Sequence, residues 1–322
     1  MVMRQDDLQK GLPSFSIVLE TENLATADLN GLINTIEALA QQDPPPTTAN
    51  EVLLIDSGDT PPEVLAHLCQ RYSWIKLHPA AVENYYSAKM LGAKLSTGAI
   101  VVYYDCDCLY APGWLRTMLT SFTHPDIQIV AGETTTRSVG IYGTAMALSY
   151  IFPQYSGQKI STPVKQYFLN NVAFRREFLL QHPIPTDLPL YRGHCVIHAH
   201  ELGQKGYVIW NQPQAKATHA PPYGLSHFFW RFLLIGHDYF WQKKLLKETA
   251  SSDRTMSGMK GKMQVFYDRV SKMVANNPRH LIFFPLAMPI VICSAILIYI
   301  GYRITSWKPH YLLETYDKIL ER

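Results

Sequence analysis

Short apolar runs alternate with amphipathic stretches through the N-terminal half of the chain. Ser14–Glu20 (SFSIVLE) reads as a buried strand. Leu29, Leu32, Ile33, Ile36, Leu39 and Ala40 then recur at helical spacing, and the run QQDPPPTT ends that helix. Proline has no N–H to donate and pushes the residue before it out of the helical region. Glu51–Asp56 (EVLLID) predicts the next strand, and a polar turn leads to a helix near Glu63–Tyr72 with Pro62 in its first turn. A short strand at Trp74–His78 precedes a helix near Asn84–Leu95, which Thr97-Gly98 closes. Ala99–Tyr104 (AIVVYY) is a strongly apolar strand. Trp114, Leu115, Met118, Leu119 and Phe122 form one helical face, and Ile127–Ala131 is a further strand. Strands alternating with helices predict an α/β fold, with a mostly parallel sheet flanked by helices.

The C-terminal third follows a different pattern. Leu281–Tyr302 (LIFFPLAMPIVICSAILIYIGY) carries no charge, and a membrane crossing takes about 20 apolar residues. Pro285 and Pro289 fall inside it, which membrane helices tolerate. The expectation is a single transmembrane helix over 281–302, with a buried core helix or a hairpin lying in the interface as the plain alternative. Arg269, Lys272 and Arg279 before it and Arg303 and Lys308 after it bias the N-terminal side weakly toward the cytoplasm. In residues 223–246, Leu225, Phe228, Phe229, Phe232, Gly236, Tyr239 and Phe240 share one helical side. Such a helix either lies in the membrane surface or packs on the domain. The predicted division is 1–222 as the α/β domain, 223–280 as an amphipathic juxtamembrane region, 281–302 as the span and 303–322 as a tail.

Composition sharpens this picture. Hydrophobic residues make up 47% of the 322 and charged residues only 17%, against roughly 25% charged in an average soluble domain. That deficit suggests a large core or contact with lipid. A net charge of +3 is too small to argue for a nucleic-acid partner. The five cysteines, Cys69, Cys106, Cys108, Cys195 and Cys293, are odd in number and lack paired spacing. They predict neither a disulfide framework nor a zinc site. The opening MVMRQDDLQKGLPSF has no apolar core of a signal peptide, which places the α/β domain in the cytoplasm.

The chemistry concentrates in Tyr103-Tyr104-Asp105-Cys106-Asp107-Cys108, directly after the apolar strand. On an extended chain Asp105 and Asp107 face one way, and Cys106 and Cys108 the other. Carboxylates at the carboxyl end of a buried parallel strand stand where open α/β sheets bind ligands. A divalent cation such as Mn2+ or Mg2+ would offset the cost of burying them. The plain alternative is a pair of solvated turn aspartates. Asp56 and Glu20 end earlier strands in the same way, although each alone is also an ordinary capping or turn residue.

With these motifs in hand, the chain resembles a family-2 glycosyltransferase of the GT-A fold. The likeness runs from about Phe15 to His219. It rests on SIVLETEN, EVLLIDSGD, AKMLGAKLSTGAIVVYYDCD, NNVAFRREFL, ELGQKGYVIW and PQAKATH, in that order. The resemblance implies a nucleotide-sugar donor, a divalent metal (Mn2+ or Mg2+) and inversion at the anomeric carbon. By position it assigns Glu20 and Asp56 to the nucleotide, Asp105 to ribose and metal, and Asp107 to the metal. It assigns His219 to the metal or diphosphate, and the strand at Asn170 and Asn171 to the acceptor side. With the membrane segment, it points to a lipid-linked or polysaccharide acceptor.

One departure matters. The family's Glu-Asp, whose Asp is the general base, aligns here with His194 and Cys195. His194 is then the candidate base, since histidine titrates near neutral pH. Glu201 is a second candidate, and Asp187, His198 and His200 are alternatives. Met90 and Ala99 also depart from the family pattern, at turn and capping positions. The missing Glu-Asp motivates the competing reading, a catalytically inactive relative that binds nucleotide sugar or a partner at the membrane. A processive synthase is disfavoured, because one span is too few for a channel and no Gln-x-x-Arg-Trp motif follows the domain. An oxidoreductase of the dinucleotide-binding type is rejected, because the turn after the first strand, ETENLATAD, lacks glycine.

Overall fold

In the computed structural model, which describes residues 11–21, 29–58, 60–81, 84–137, 140–249 and 259–319, the apolar runs become strands of a single nine-stranded sheet. β1 (Phe15–Glu20), β2 (Val52–Asp56), β3 (Ile75–Pro79) and β4 (Ile100–Tyr104) lie parallel in the order β3-β2-β1-β4. All residues of β1 and β4 are buried, because each has a strand on both edges and helices on both faces.

The two-residue period sorts side chains between two cores. Ile17, Leu19, Leu54, Val102 and Tyr104 pack with α1 (Leu29–Ala40), α2 (Pro62–Arg71) and α4 (Trp114–Ser121). Val18, Leu53, Ile55, Val101 and Tyr103 pack on the other face with α3 (Tyr85–Leu95), α6 (Arg176–Gln181) and α7 (His194–Gln204). The start of α3 is fixed by Asn84, whose side chain accepts from the N–H groups of Tyr86 and Ser87. The loop from α3 into β4 passes so close to β1 that a Cβ on Gly98 would meet the Phe15 backbone at 2.4 Å, so only glycine fits there.

The remaining strands are β5 (Cys108–Tyr110), β6 (Ile129–Thr136), β7 (Thr162–Val164), β8 (Asn171–Arg175) and β9 (Ile209–His219). They add antiparallel pairs to the parallel core. β8 runs antiparallel to β4, β6 antiparallel to β8, and β7 antiparallel to β9. The order is β3-β2-β1-β4-β8-β6-β9-β5, with β7 off this path beside β9, a mixed sheet. The reversal depends on distant pairings such as Tyr103 with Val172, which local alternation does not encode. The turn after β1, residues 22–28, and the N-terminal residues 1–10 lie outside the described residues.

The chain divides into two compact units. The sheet and its helices form most of the first. The second comprises Thr135–Gly157, Asp187–Gly193 and His219–Arg322. It contains α5 (Gly140–Ser149), α8 (Gly224–Thr249), α9 (Met259–Asn276), α10 (His280–Trp307) and α11 (Tyr311–Ile319). Residues 135–157, 187–193 and 219–222, all from within 1–222, thus cluster with the C-terminal helices. Ala147 and Leu148 pack with Met273 and Phe284, and Tyr191 packs with Leu234, Ile304 and Tyr316. The apolar run predicted over 281–302 forms the core of α10, a 28-residue helix. By length and composition α10 is a candidate membrane span, and the only one among the described residues.

Candidate active site

Parallel pairing brings the acids to one edge. Glu20 ends β1, Asp56 ends β2 and Asp105 directly follows β4, and these three strands are neighbours. Their environments differ sharply. Glu20 and Asp105 are buried, whereas Asp56 and Asp107 are half-buried. Asp56 Oδ1 accepts the Thr21 hydroxyl at 2.8 Å, and the Ser57 N–H donates to that same hydroxyl at 3.0 Å. The two strand ends are therefore tied together.

Asp105 is the centre of a buried network. Lys89 Nζ lies 2.6 Å from its Oδ1, and the Tyr85 hydroxyl reaches Oδ1 and Oδ2 at 3.0 and 2.9 Å. The Asp105 N–H donates to the Tyr110 hydroxyl at 2.9 Å, which in turn donates to the Asn170 carbonyl. Lys89 also donates to the Tyr104 carbonyl at 2.8 Å. Burial pulls the Lys89 ammonium down, but the carboxylates of Asp105 and Glu20 outweigh it and hold its pKa above the ordinary value. Burial first, then the same two carboxylates, pushes the Tyr85 phenol well up.

The alternation expected for Asp105 to Cys108 does not hold. Cys108 N–H donates to the Asp105 carbonyl at 3.3 Å, so the segment closes a turn rather than running extended. Asp107 consequently leaves the buried side, and the Cys108 thiol lies 3.5 Å from its Oδ1. Burial raises the Cys108 thiol well above its usual range. Asp107 is then the accessible carboxylate of the pair.

β9 reaches the same edge. Ala111 N–H donates to the Lys216 carbonyl at 2.9 Å, and the Thr218 hydroxyl donates to the Leu109 carbonyl at 3.4 Å. His219, the next residue, ends β9 and belongs to the second unit. There its ring lies 4.6 Å from that of Phe152, and its carbonyl accepts the Arg137 N–H at 2.9 Å.

Asn170 and Asn171 are both buried. The Asn171 carboxamide is committed within the sheet, accepting from Trp114 Nε1 at 2.8 Å and donating to the Glu133 and Ala215 carbonyls. Asn170 accepts the Thr134 hydroxyl at 3.2 Å. His194 begins α7, is 2% exposed and stacks on Tyr86 with ring centroids 4.0 Å apart. Its Nδ1 lies 2.8 Å from the Pro185 carbonyl. His198 meets the Tyr167 hydroxyl and the His182 carbonyl, and burial lowers its pKa to about 4. Glu201 is half-buried farther along α7.

Sequence reasoning missed Lys89, Tyr85 and Tyr110. A signal for Lys89 was present, since it sits at i+3 and i+4 from Tyr86 and Tyr85 and at i−3 and i−4 from Gly92 and Ala93. A lysine within such a buried stripe needs an anion, and the acidic strand end supplies one.

Comparison with known proteins bears on the fold. No curated protein matches the chain. Among solved structures, it aligns on the crystal structure of GalNAc-T7 with UDP, GalNAc and Mn2+ at 15% identity and a TM-score of 0.53. That alignment covers 66% of this chain but 45% of the other. It also aligns on the mannosyltransferase PcManGT from Pyrobaculum calidifontis in complex with GDP-Man and Mn2+, at 16% identity and a TM-score of 0.54. There, 98% of this chain and 90% of the other are covered. Residues 27–183, just under half of the chain, match the model of the family "Glycosyl transferase family 2", and the fold is a GT-A-like mixed α/β sheet flanked by helices.

Proposed function

We propose that this chain is a metal-dependent glycosyltransferase that moves a sugar from a nucleotide-sugar donor to a lipid-linked or polysaccharide acceptor, with inversion at the anomeric carbon. The observation that carries the reading is the set of acids at adjacent strand ends, Glu20, Asp56 and Asp105, with Asp107 one turn beyond. The match to the family-2 model and the nucleotide and Mn2+ named for both similar structures support it.

Glu20 and Asp56 stand on the nucleotide side. Asp105, neutralised by Lys89, contributes through the buried network that holds this edge. Asp107 would hold the divalent ion beside the diphosphate, and the family resemblance assigns His219 to the same ion or diphosphate. Carboxylate and imidazole donors suit Mn2+. When bound, the ion supplies positive charge that offsets the charge developing on the leaving nucleotide. The acceptor lies toward Asn170 and Asn171. His194, at the start of α7 beside Tyr86, is the proposed base, and Glu201 is the second candidate. The helices of the second unit attach the enzyme to the cytoplasmic face of a membrane.

One observation favours the competing reading of a nucleotide-sugar-binding protein without turnover. His194 is 2% exposed and its Nδ1 is already engaged by Pro185. Calorimetric titration of detergent-purified protein with UDP, GDP and dTDP, with and without Mn2+, tests the site. Metal-dependent binding of one nucleotide, lost in Asp107→Ala, is expected, and no binding of any nucleotide would sink both readings. His194→Asn and Glu201→Gln separate the two, since an enzyme loses turnover in at least one while a binding protein never turns over.

A further inference from the structure

A single crossing by α10 would put its two ends on opposite sides of the bilayer. The packing of both ends speaks against that. At the start of α10, His280 Nδ1 lies 2.8 Å from the Thr144 hydroxyl of α5, and Phe284 and Val291 join Ala147 and Leu148 in one apolar cluster. Near its other end, Thr305 Oγ1 lies 3.1 Å from His237 Nδ1 of α8, and Ile304 packs with Leu234 and Tyr191. Between them the backbones of α8 and α10 touch. A Cβ on Gly236 would meet the Ile298 carbonyl at 2.0 Å, and one on Gly301 would meet that of Leu233 at 2.0 Å.

α5, Tyr191 and α8 all precede α10 in the chain. α10 is the only candidate span among the described residues, and residues 250–258 are far fewer than the roughly 20 that a crossing takes. Everything from α5 to α9 therefore stands on one side of the membrane. The first and last turns of α10 are both held by elements on that side.

Burial around α10 fits the same geometry. Its sequence is apolar all round, but its exposure is not. Ile282, Leu286, Ile292, Ile296, Tyr299 and Ile300 are exposed and, at 3.6 residues per turn, fall on one side of the helix. His280, Ala287, Ser294, Leu297, Gly301 and Thr305 are buried on the opposite side. Arg279 precedes the exposed stripe and Arg303 and Lys308 close it, all three exposed.

We propose that α10 lies along the surface of a lipid bilayer and attaches the protein from one side without crossing it. The exposed stripe enters the boundary between headgroups and acyl chains, and the cations at its ends meet anionic headgroups. Membrane attachment alone is required, so the inference stands or falls separately from the transferase chemistry.

The test is side-specific labelling of the full chain, expressed in a bacterial host with Cys69 and Cys293 replaced by serine. A single cysteine is placed at either end of α10, as Arg279→Cys or Lys308→Cys, and a membrane-impermeant maleimide is added to spheroplasts or to inverted membrane vesicles. Both positions should label in the same preparation and neither in the other. Labelling of the two in opposite preparations would establish a crossing and overturn the proposal. Recovery of the protein in the soluble fraction would overturn it as well, pointing to a second protein copy as the cover of the stripe. Leu286→Lys combined with Ile296→Lys reads the same question without cysteines. It should raise the fraction released by carbonate washing at least severalfold, with an unchanged elution volume in detergent; unchanged release counts against the proposal.

Discussion

Lys89 is a cation fully buried beneath the candidate site, balanced by Asp105 at 2.6 Å and by nearby Glu20. Removing one member of a buried ion pair leaves an uncompensated charge, which typically costs about 3–5 kcal/mol. Lys89→Met should therefore lower the unfolding free energy by about that amount, and adding Asp105→Asn should recover part of the loss. Denaturant unfolding in detergent reads both, and a native-like midpoint for Lys89→Met would mean that the pair is not structural. His198 gives a second residue-level expectation. Its folded pKa of about 4 lies below the ordinary 6.5, so the unfolded chain takes up the proton first. Its contribution is fully present above pH 6.5 and is lost as pH falls toward 4. The loss reaches about 3 kcal/mol at most. The difference in thermal midpoint between wild type and His198→Gln should narrow over that window, and a pH-independent difference would exclude the assignment. At this scale the sequence was half legible. Glu20, Asp56 and Asp107 stood out because strand ends expose chemistry. The state of Asp105 did not, because its partners come from a helix whose lysine reads locally as a surface residue.

Elements were easier to read than their partners. Proline and glycine punctuation located α2 and α3 within a residue or two, since a ring without an N–H and an N-cap such as Asn84 act locally. The reversal of the sheet at β8 was not legible, because a strand's direction depends on its distant neighbour. The crossing of α8 and α10 was hidden for the same reason. Gly236 and Gly301 look like ordinary helix glycines until their backbones meet, and each added Cβ would then fall 2.0 Å from a carbonyl oxygen. Gly236→Leu or Gly301→Leu should force the helices apart and destabilise by at least the roughly 1–3 kcal/mol typical of overpacking. Gly203, in α7, has nothing within 4 Å of its Cβ position. Gly203→Ala should be neutral or stabilise by about 0.5–1 kcal/mol through helix propensity alone. Thermal unfolding of the three variants in one detergent separates close approach from propensity. Equal midpoints for all three would mean that the α8–α10 crossing is looser than described.

At the scale of the whole molecule, the proposed ligand site would link binding to stability. Glu20, Asp56 and Asp105 end or follow three neighbouring strands, and Asp107 stands one turn beyond. In the proposed transferase, a divalent ion and a nucleoside diphosphate would meet these acids only in the folded state. Any ligand that binds the folded form alone stabilises it by mass action, about 2.7 kcal/mol at a hundredfold excess over its dissociation constant. The expected outcome is a rise in unfolding temperature with Mn2+ and the matching nucleotide together, smaller with either alone and abolished by chelation. Asp107→Asn should remove the rise while leaving the ligand-free midpoint near wild type, because Asp107 is half-buried and the buried ion pair of Lys89 is made with Asp105. Asp105→Asn should instead lower the ligand-free midpoint itself, because it breaks the buried pair. The two neighbouring aspartates thus have opposite signatures in one assay. If Asp107→Asn lowers the ligand-free midpoint while Asp105→Asn spares it, the division of labour between network and metal is the reverse of the one drawn from burial.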